Sequence, residues 1–339
     1  MNRPTTSPDP ARAPARDVRG LAKANLHLHL TGAMRPATLA ELAARRGVAV
    51  PPPLPRAVGT WADFQGRYDA ARQAIGTPED VRRVVVEAAE DDARDGCGWL
   101  ELQVDPTSYA PALGGLRAAV EAVLAGAREA PIPTGVIVAS SWTRPPEHAE
   151  RLARLAAEYA GQGVVGFGLS NDERNATVAD FAPAFRVARD AGLVATPHSG
   201  FYTGAEHVLD CVRYLGANRI GHGTAAAADP AALELLARRQ VVLELCPTSY
   251  PPFGVHELAT IPLRTLVDAG VPVAVATDDP LLFGTGLVGQ YTICREVLGL
   301  DDHQLAALAA GSIHGSAAPE AVRRDLLAAV DRWSRDSPG

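Results

Sequence analysis

The sequence predicts an α/β protein of the TIM-barrel type, a (β/α)8 ring of parallel strands. Three observations point there. Eight short apolar runs recur along the 339 residues, amphipathic stretches of helical length separate them, and the polar residues able to do chemistry fall at the C-terminal ends of the runs. Runs that are apolar on both faces suit parallel strands covered by helices. An open doubly wound sheet is the rival architecture, but no GxGxxG follows the first run.

Residues 1–20 carry four prolines and little apolar material, which predicts a disordered N-terminal tail ahead of one barrel domain over residues 21–339. Strands are expected at 23–30 (KANLHLHL), 98–105 (GWLELQVD), 134–140 (TGVIVAS), 164–170 (VVGFGLS), 193–199 (LVATPHS), 219–224 (RIGHGT), 241–248 (VVLELCPT) and 272–278 (PVAVATD). The helical stretch TPEDVRRVVVEAAEDDARDG opens with Thr77 as N-cap and Pro78 in the first helical position, and it ends near Gly96. Segment 48–76 is longer than a simple strand–helix loop. It holds PPPLP and then Trp61, Phe64 and Tyr68, which reads as a lid over the barrel mouth.

His27 and His29 are spaced i, i+2, so a strand turns both imidazoles to the barrel interior. Two such groups among apolar neighbours are costly unless something pairs with or is bound by them. The strand count brings His198, His222, Asp278 and Asp279 to the same rim. Three imidazoles (His27, His29, His198) and the Asp278 carboxylate suit one divalent ion, Zn²⁺ foremost, although N/O ligands also suit Fe, Mn or Co. Such an ion makes a water acidic enough to attack at neutral pH. Asp278 and His222 are then the candidate catalytic groups. His148, His207, His256, His303 and His314 fall in helical or loop stretches and read as surface or packing residues.

A net charge of −7 offers no basic surplus for a nucleic-acid backbone, so a small molecule is the expected partner. Cys97, Cys211, Cys246 and Cys294 lack CxxC spacing and read as free thiols. No apolar stretch reaches the ~20 residues that span a bilayer, and the first twenty residues lack the apolar core of an export signal. A cytoplasmic location is expected.

The pieces NLHLHLTGA, DFQGRYDA, ELQVDP, VVGFGLSNDE, TPHSG, RIGHGT, LELCPTSY and VATDDPLLFGT occur in an order that resembles the adenosine deaminases of the amidohydrolase superfamily, from about Lys23 to Asp331. The resemblance implies zinc on His27, His29, His198 and Asp278, His222 serving the attacking water, and Asp279 bonding the five-membered ring of a purine. It also implies that Trp61 and Phe64 cover the substrate.

Three positions depart from that pattern. The family's fifth-strand motif is H-A-G-E, and its Glu normally protonates the ring nitrogen beside the attacked carbon. Here the motif reads His198-Ser199-Gly200-Phe201, and phenylalanine cannot give a proton. Loss of a positioned acid forfeits ~10²–10⁴ in rate. Glu206, a little further on, matches a helix residue of the family. The family's H-x-H-L-D-G carries an Asp for the ribose 5′-hydroxyl where this chain has Thr31, which removes a repulsion against a 5′-phosphate or a bulky 5′-group. In the family's L-A-G-D-E the glycine beside the base is Asn171 here, so a side chain crowds the purine or offers it a hydrogen bond.

The leading expectation is a hydrolase of an amino-purine nucleoside-like or related amino-heterocycle substrate that works without the missing Glu. A nucleoside-binding pseudoenzyme, a hydrolase of a different C–N bond and a purely structural barrel are the alternatives.

Overall fold

A computed structural model describes residues 16–52 and 60–335. All eight expected strands form: β1 Lys23–His29, β2 Cys97–Val104, β3 Thr134–Ser141, β4 Val164–Ser170, β5 Val194–Ser199, β6 Arg219–His222, β7 Val242–Leu245 and β8 Val273–Val275. They lie in sequence order in one sheet, and every neighbouring pair is parallel. The ring closes just past β8. Residue 278 bridges to Leu28, with His29 N donating to Asp278 O at 3.0 Å and Asp278 N donating to His27 O at 2.8 Å. The result is the (β/α)8 TIM barrel.

The last two strands are shorter than the sequence suggests. Pro247 has no N–H to give a ladder, and the chain turns into a 3-10 helix at Pro247–Ser249. After β8 the backbone bends so that Asp278 adopts φ 60°. The expected disorder to residue 20 is corrected over its last part. Residues 16–20 form a turn capped by Asp17, with Val18 buried and Asp17 O accepting from Trp333 Nε1 at 2.9 Å. Residues 1–15 lie outside the described residues.

Helices cover the barrel outside. Among them are α1 (Pro36–Arg46), α2 (Trp61–Ala74) and α3 (Pro78–Arg94). α3 starts as expected, with a capping box: Thr77 Oγ1 accepts from Asp80 N, and Asp80 accepts from Thr77 N. Its apolar face, including Val81, Val84, Val85 and Ala88, is buried. Part of the expected lid, residues 53–59, lies outside the described residues. The remainder is α2, whose first turn carries Trp61 and Phe64 across the mouth.

The strands also enclose charge. Arg219 on β6 lies 2.5 Å from Glu101 on β2 and 2.7 Å from Glu244 on β7, and all three are buried. Trp99 Nε1 donates to Glu101 at 2.8 Å. Charges so far from water persist only when paired, and this chain of pairs leads up to His27. All four cysteines are free and buried. Among the described residues no helix is long and apolar enough to cross a membrane.

Candidate active site

β1 delivers His27 and His29 to the C-terminal mouth, β5 delivers His198 and β6 delivers His222, while Asp278 and Asp279 follow β8. The sequence-predicted donors meet. His29 Nε2 is 3.2 Å from His198 Nε2 and 3.3 Å from Asp278 Oδ1, and His27 Nε2 is 3.6 Å from the same oxygen. His222 Nε2 stands 3.9 Å from Asp278 Oδ2. His27, His198, His222, Asp278 and Asp279 are buried. Gly221, in the RIGHG piece, has to be small: a β-carbon there would lie 2.8 Å from the His27 ring and 3.1 Å from that of His198.

The group fits a cation. His27 Nε2 is buried with no hydrogen-bond partner, while its Nδ1 is tied to Glu244 Oε2 at 2.8 Å, which fixes the ring with Nε2 toward the cluster. Burial opposes charge on His27, but the nearby Asp278 and Glu244 carboxylates outweigh this and push the imidazole up to about 10. Burial, with neighbouring histidines, pushes His198 well down, and burial takes His222 to about 3. Positive charge is thus favoured between the carboxylates but refused by the other rings. His27, His29 and His198 can point ring nitrogens at one point, as can His27, His222 and Asp278.

Backbone conformation marks the same place. His222 (φ 66°), Asp278 (φ 60°) and Asn171 (φ 74°) have left-handed backbones that side chains rarely adopt.

Above the donors opens a cleft of about 670 Å³, lined on one side by Trp61, Phe64, Phe201, Tyr202, Phe253 and Phe283. Trp61, Phe64, Asn171, Phe201 and Asp279 all line it, as expected. Asn171 lines the cleft with its Oδ1 accepting from Asp172 N at 2.8 Å. Phe201 packs against His222, with ring centroids 4.7 Å apart. Glu206 faces solvent and pairs with Arg213 at 2.9 Å, so it does not replace the missing acid.

Thr31 is a correction. It is wholly buried and its hydroxyl bonds Tyr109 OH, so Tyr109, not Thr31, forms the wall of the polar hollow beside the cleft. With no exposed surface, Thr31 does not reach a substrate.

Two carboxylates had no assigned role. Glu244 orients His27, and it also accepts from Thr196 Oγ1 at 3.1 Å. Glu173 Oε1 accepts from the amides of Phe201, Tyr202 and Thr203 at 2.8–2.9 Å and from Thr203 Oγ1 at 2.6 Å. The signal for Glu244 is a charge inside an otherwise apolar strand, LEL, which demands a buried partner.

The sequence profile of adenosine deaminase matches residues 22–333. The chain belongs to the adenosine deaminase family. A Streptomyces coelicolor relative that carries a provisional adenosine/adenine deaminase name is 53% identical over 94% of this chain and 98% of its own. An aminodeoxyfutalosine deaminase of Streptomyces avermitilis is 36% identical over 94% of this chain and 92% of its own. Among solved structures, an adenine deaminase from Arthrobacter aurescens superposes with a TM-score of 0.84 at 27% identity, covering 93% of this chain and 99% of its own. The protein is therefore an adenosine deaminase-like enzyme, a deaminase-type hydrolase for a purine-like substrate.

Proposed function

We propose that the protein removes an amino group hydrolytically from a purine-like heterocycle at a divalent ion, zinc foremost, held by His27, His29, His198 and Asp278. The observation that carries this reading is the meeting of three imidazoles and one carboxylate, with the His27 Nε2 left unpartnered, under an apolar cleft. The ion supplies Lewis acidity and makes the attacking water acidic.

The chain's own groups do the rest. Against the effect of burial, the imidazoles of His27 and His29 beside it hold the Asp278 carboxyl well below the usual range, so it is ionised and can accept a proton from water. His222, neutral because it is buried, can orient that water and stabilise charge that develops on attack. Asp279 lines the cleft with its Oδ1 unpartnered, so it is placed to hydrogen-bond a ring nitrogen of the substrate. Trp61, Phe64 and Phe253 exclude water from the flat faces of the substrate.

The test is elemental analysis of purified protein together with ammonia release from 6-aminopurine bases, nucleosides and nucleotides. One bound ion per chain and release from at least one compound are expected. An ion-free protein with full activity, or an ion-loaded protein inert on all of them, overturns the reading. Phe201 favours a second reading, a nucleoside-binding pseudoenzyme: tight ligand binding without product is its signature.

A further inference from the structure

Attack on the amino-bearing carbon of a heteroaromatic ring drives an electron pair onto the adjacent ring nitrogen. That nitrogen must be protonated as the bond forms, or it must already carry positive charge. The cleft divides by chemistry along this line. Asp279 follows β8 and sits beside Gly32, just after β1. Phe201 follows β5, on the opposite side of the barrel rim, next to His222 on β6. A flat bicycle that meets Asp279 with one edge therefore turns its other edge to the Phe201 wall.

Phe201 has no proton to give. Glu173 also lines the cleft, with its Oε1 committed to three amides and a hydroxyl of the 201–203 loop. The Tyr202 phenol, pushed up to about 12 by burial, belongs to a ring stacked with the Arg174 guanidinium at 4.4 Å. His222 faces Asp278. What the wall does offer is aromatic surface. Phe201 lies 4.8 Å from Tyr202 and 5.5 Å from Phe253, centroid to centroid, and Trp61 lies 6.0 and 5.7 Å from the same two rings. Clustered aromatic faces attract alkylated cations and gain nothing from a neutral lone pair.

We propose that the substrate brings the missing positive charge itself: a 6-aminopurine alkylated on the ring nitrogen beside the amino-bearing carbon, of the 1-methyladenine or 1-methyladenosine type. The inference rests on the reading of the site as a deaminase centre. The ring of such a compound is a cation at neutral pH, so attack neutralises it and no acid is needed at that edge. The alkyl group lies against the Phe201 ring, an apolar aromatic surface in place of a polar group. The bond from carbon to the amino nitrogen breaks and a bond from the same carbon to water oxygen forms. The two protons of water and the positive charge leave with the amine as ammonium, and a neutral 1-alkyl-6-oxopurine remains. No oxidant or reductant takes part.

The test is kcat/KM of the metal-loaded protein on adenine, adenosine and AMP, each against its 1-methyl counterpart, with N6-methyladenosine as the uncharged isomer. The expected result is a preference of about 100-fold or more for the 1-methyl member of at least one pair, the size of the effect of a missing general acid. In Phe201→Glu the preference should reverse. In Phe201→Leu, which keeps the wall apolar but removes the ring, the 1-methyl compound should still be preferred, with a higher KM. Equal or faster turnover of an unmethylated compound or of the N6-methyl isomer overturns the inference and leaves the deaminase reading standing. Failure to turn over any compound, methylated or not, with the ion bound overturns both.

Discussion

The side chain of Asp279 lies against the bare Cα of Gly32, so that a β-carbon on the glycine would overlap the Asp279 carboxyl. The contact couples the loop after β1 to the residue after Asp278, and Leu281 N reinforces it by donating to Gly32 O at 2.8 Å. Gly32→Ala should therefore push Asp279 out of place with little change in the barrel. A displacement of about 1 Å at a binding group lowers kcat/KM on the order of 10²-fold. Steady-state kinetics beside a urea melt checks this. Unchanged kinetics would mean that Asp279 does not hold the substrate.

The link between Glu244 and His27 predicts an effect on metal affinity. Glu244→Gln removes the charge that orients His27 Nδ1, while Arg219 keeps Glu101 as its partner. Loss of such a supporting group typically weakens metal binding ~10–100-fold. Competition with a chromophoric chelator measures it, and circular dichroism should show the barrel intact.

Much of this arrangement was legible in the sequence. The eight apolar runs became strands, because a run buried on both faces has few alternatives. The i, i+2 spacing of His27 and His29 survives in β1, where alternate residues share a face. Less legible were features set by contacts between distant segments. Nothing local to Thr31 shows that Tyr109 takes its hydroxyl. Glu173 becomes a clamp only once the loop after β5 folds over it. Residues 16–20 look like tail but are held by Trp333, near the other end of the chain.

Glu173 should matter more for loop order than for chemistry. Glu173→Ala leaves the amides of Phe201, Tyr202 and Thr203 without their acceptor. A loss of about 2 kcal/mol is expected, since a buried donor left unpaired costs about 1–3 kcal/mol and these three are only partly buried. Glu173→Gln keeps one acceptor oxygen and should lose about 1 kcal/mol. Urea melts order the two variants, and equal losses would contradict the clamp.

Stability should also carry a pH signature away from the active centre. Asp92 is buried beside Asn25, whose Nδ2 donates to it at 2.9 Å, and burial pushes its carboxyl up to about 7. The unfolded chain releases this proton near pH 3.9, so the folded state holds it longer. Stability from this group is complete below about pH 4 and is lost as the pH rises through 7. Asp92→Asn keeps an acceptor for Asn25 and has no proton to lose. It should match the parent at pH 4 and exceed it by on the order of 2 kcal/mol at pH 8. Denaturant melts across that range decide the matter, and parallel curves would refute it.

His27 and His29 leave the ribosome well before Asp278, the carboxylate that meets them, and Asp278 stands beside Leu28 only after the ring has closed. Under the proposed ligand set, the imidazoles of β1 therefore wait for the chain after β8 before they can share a cation with its carboxylate. Capture of a cation would then report that the first and last strands have found each other.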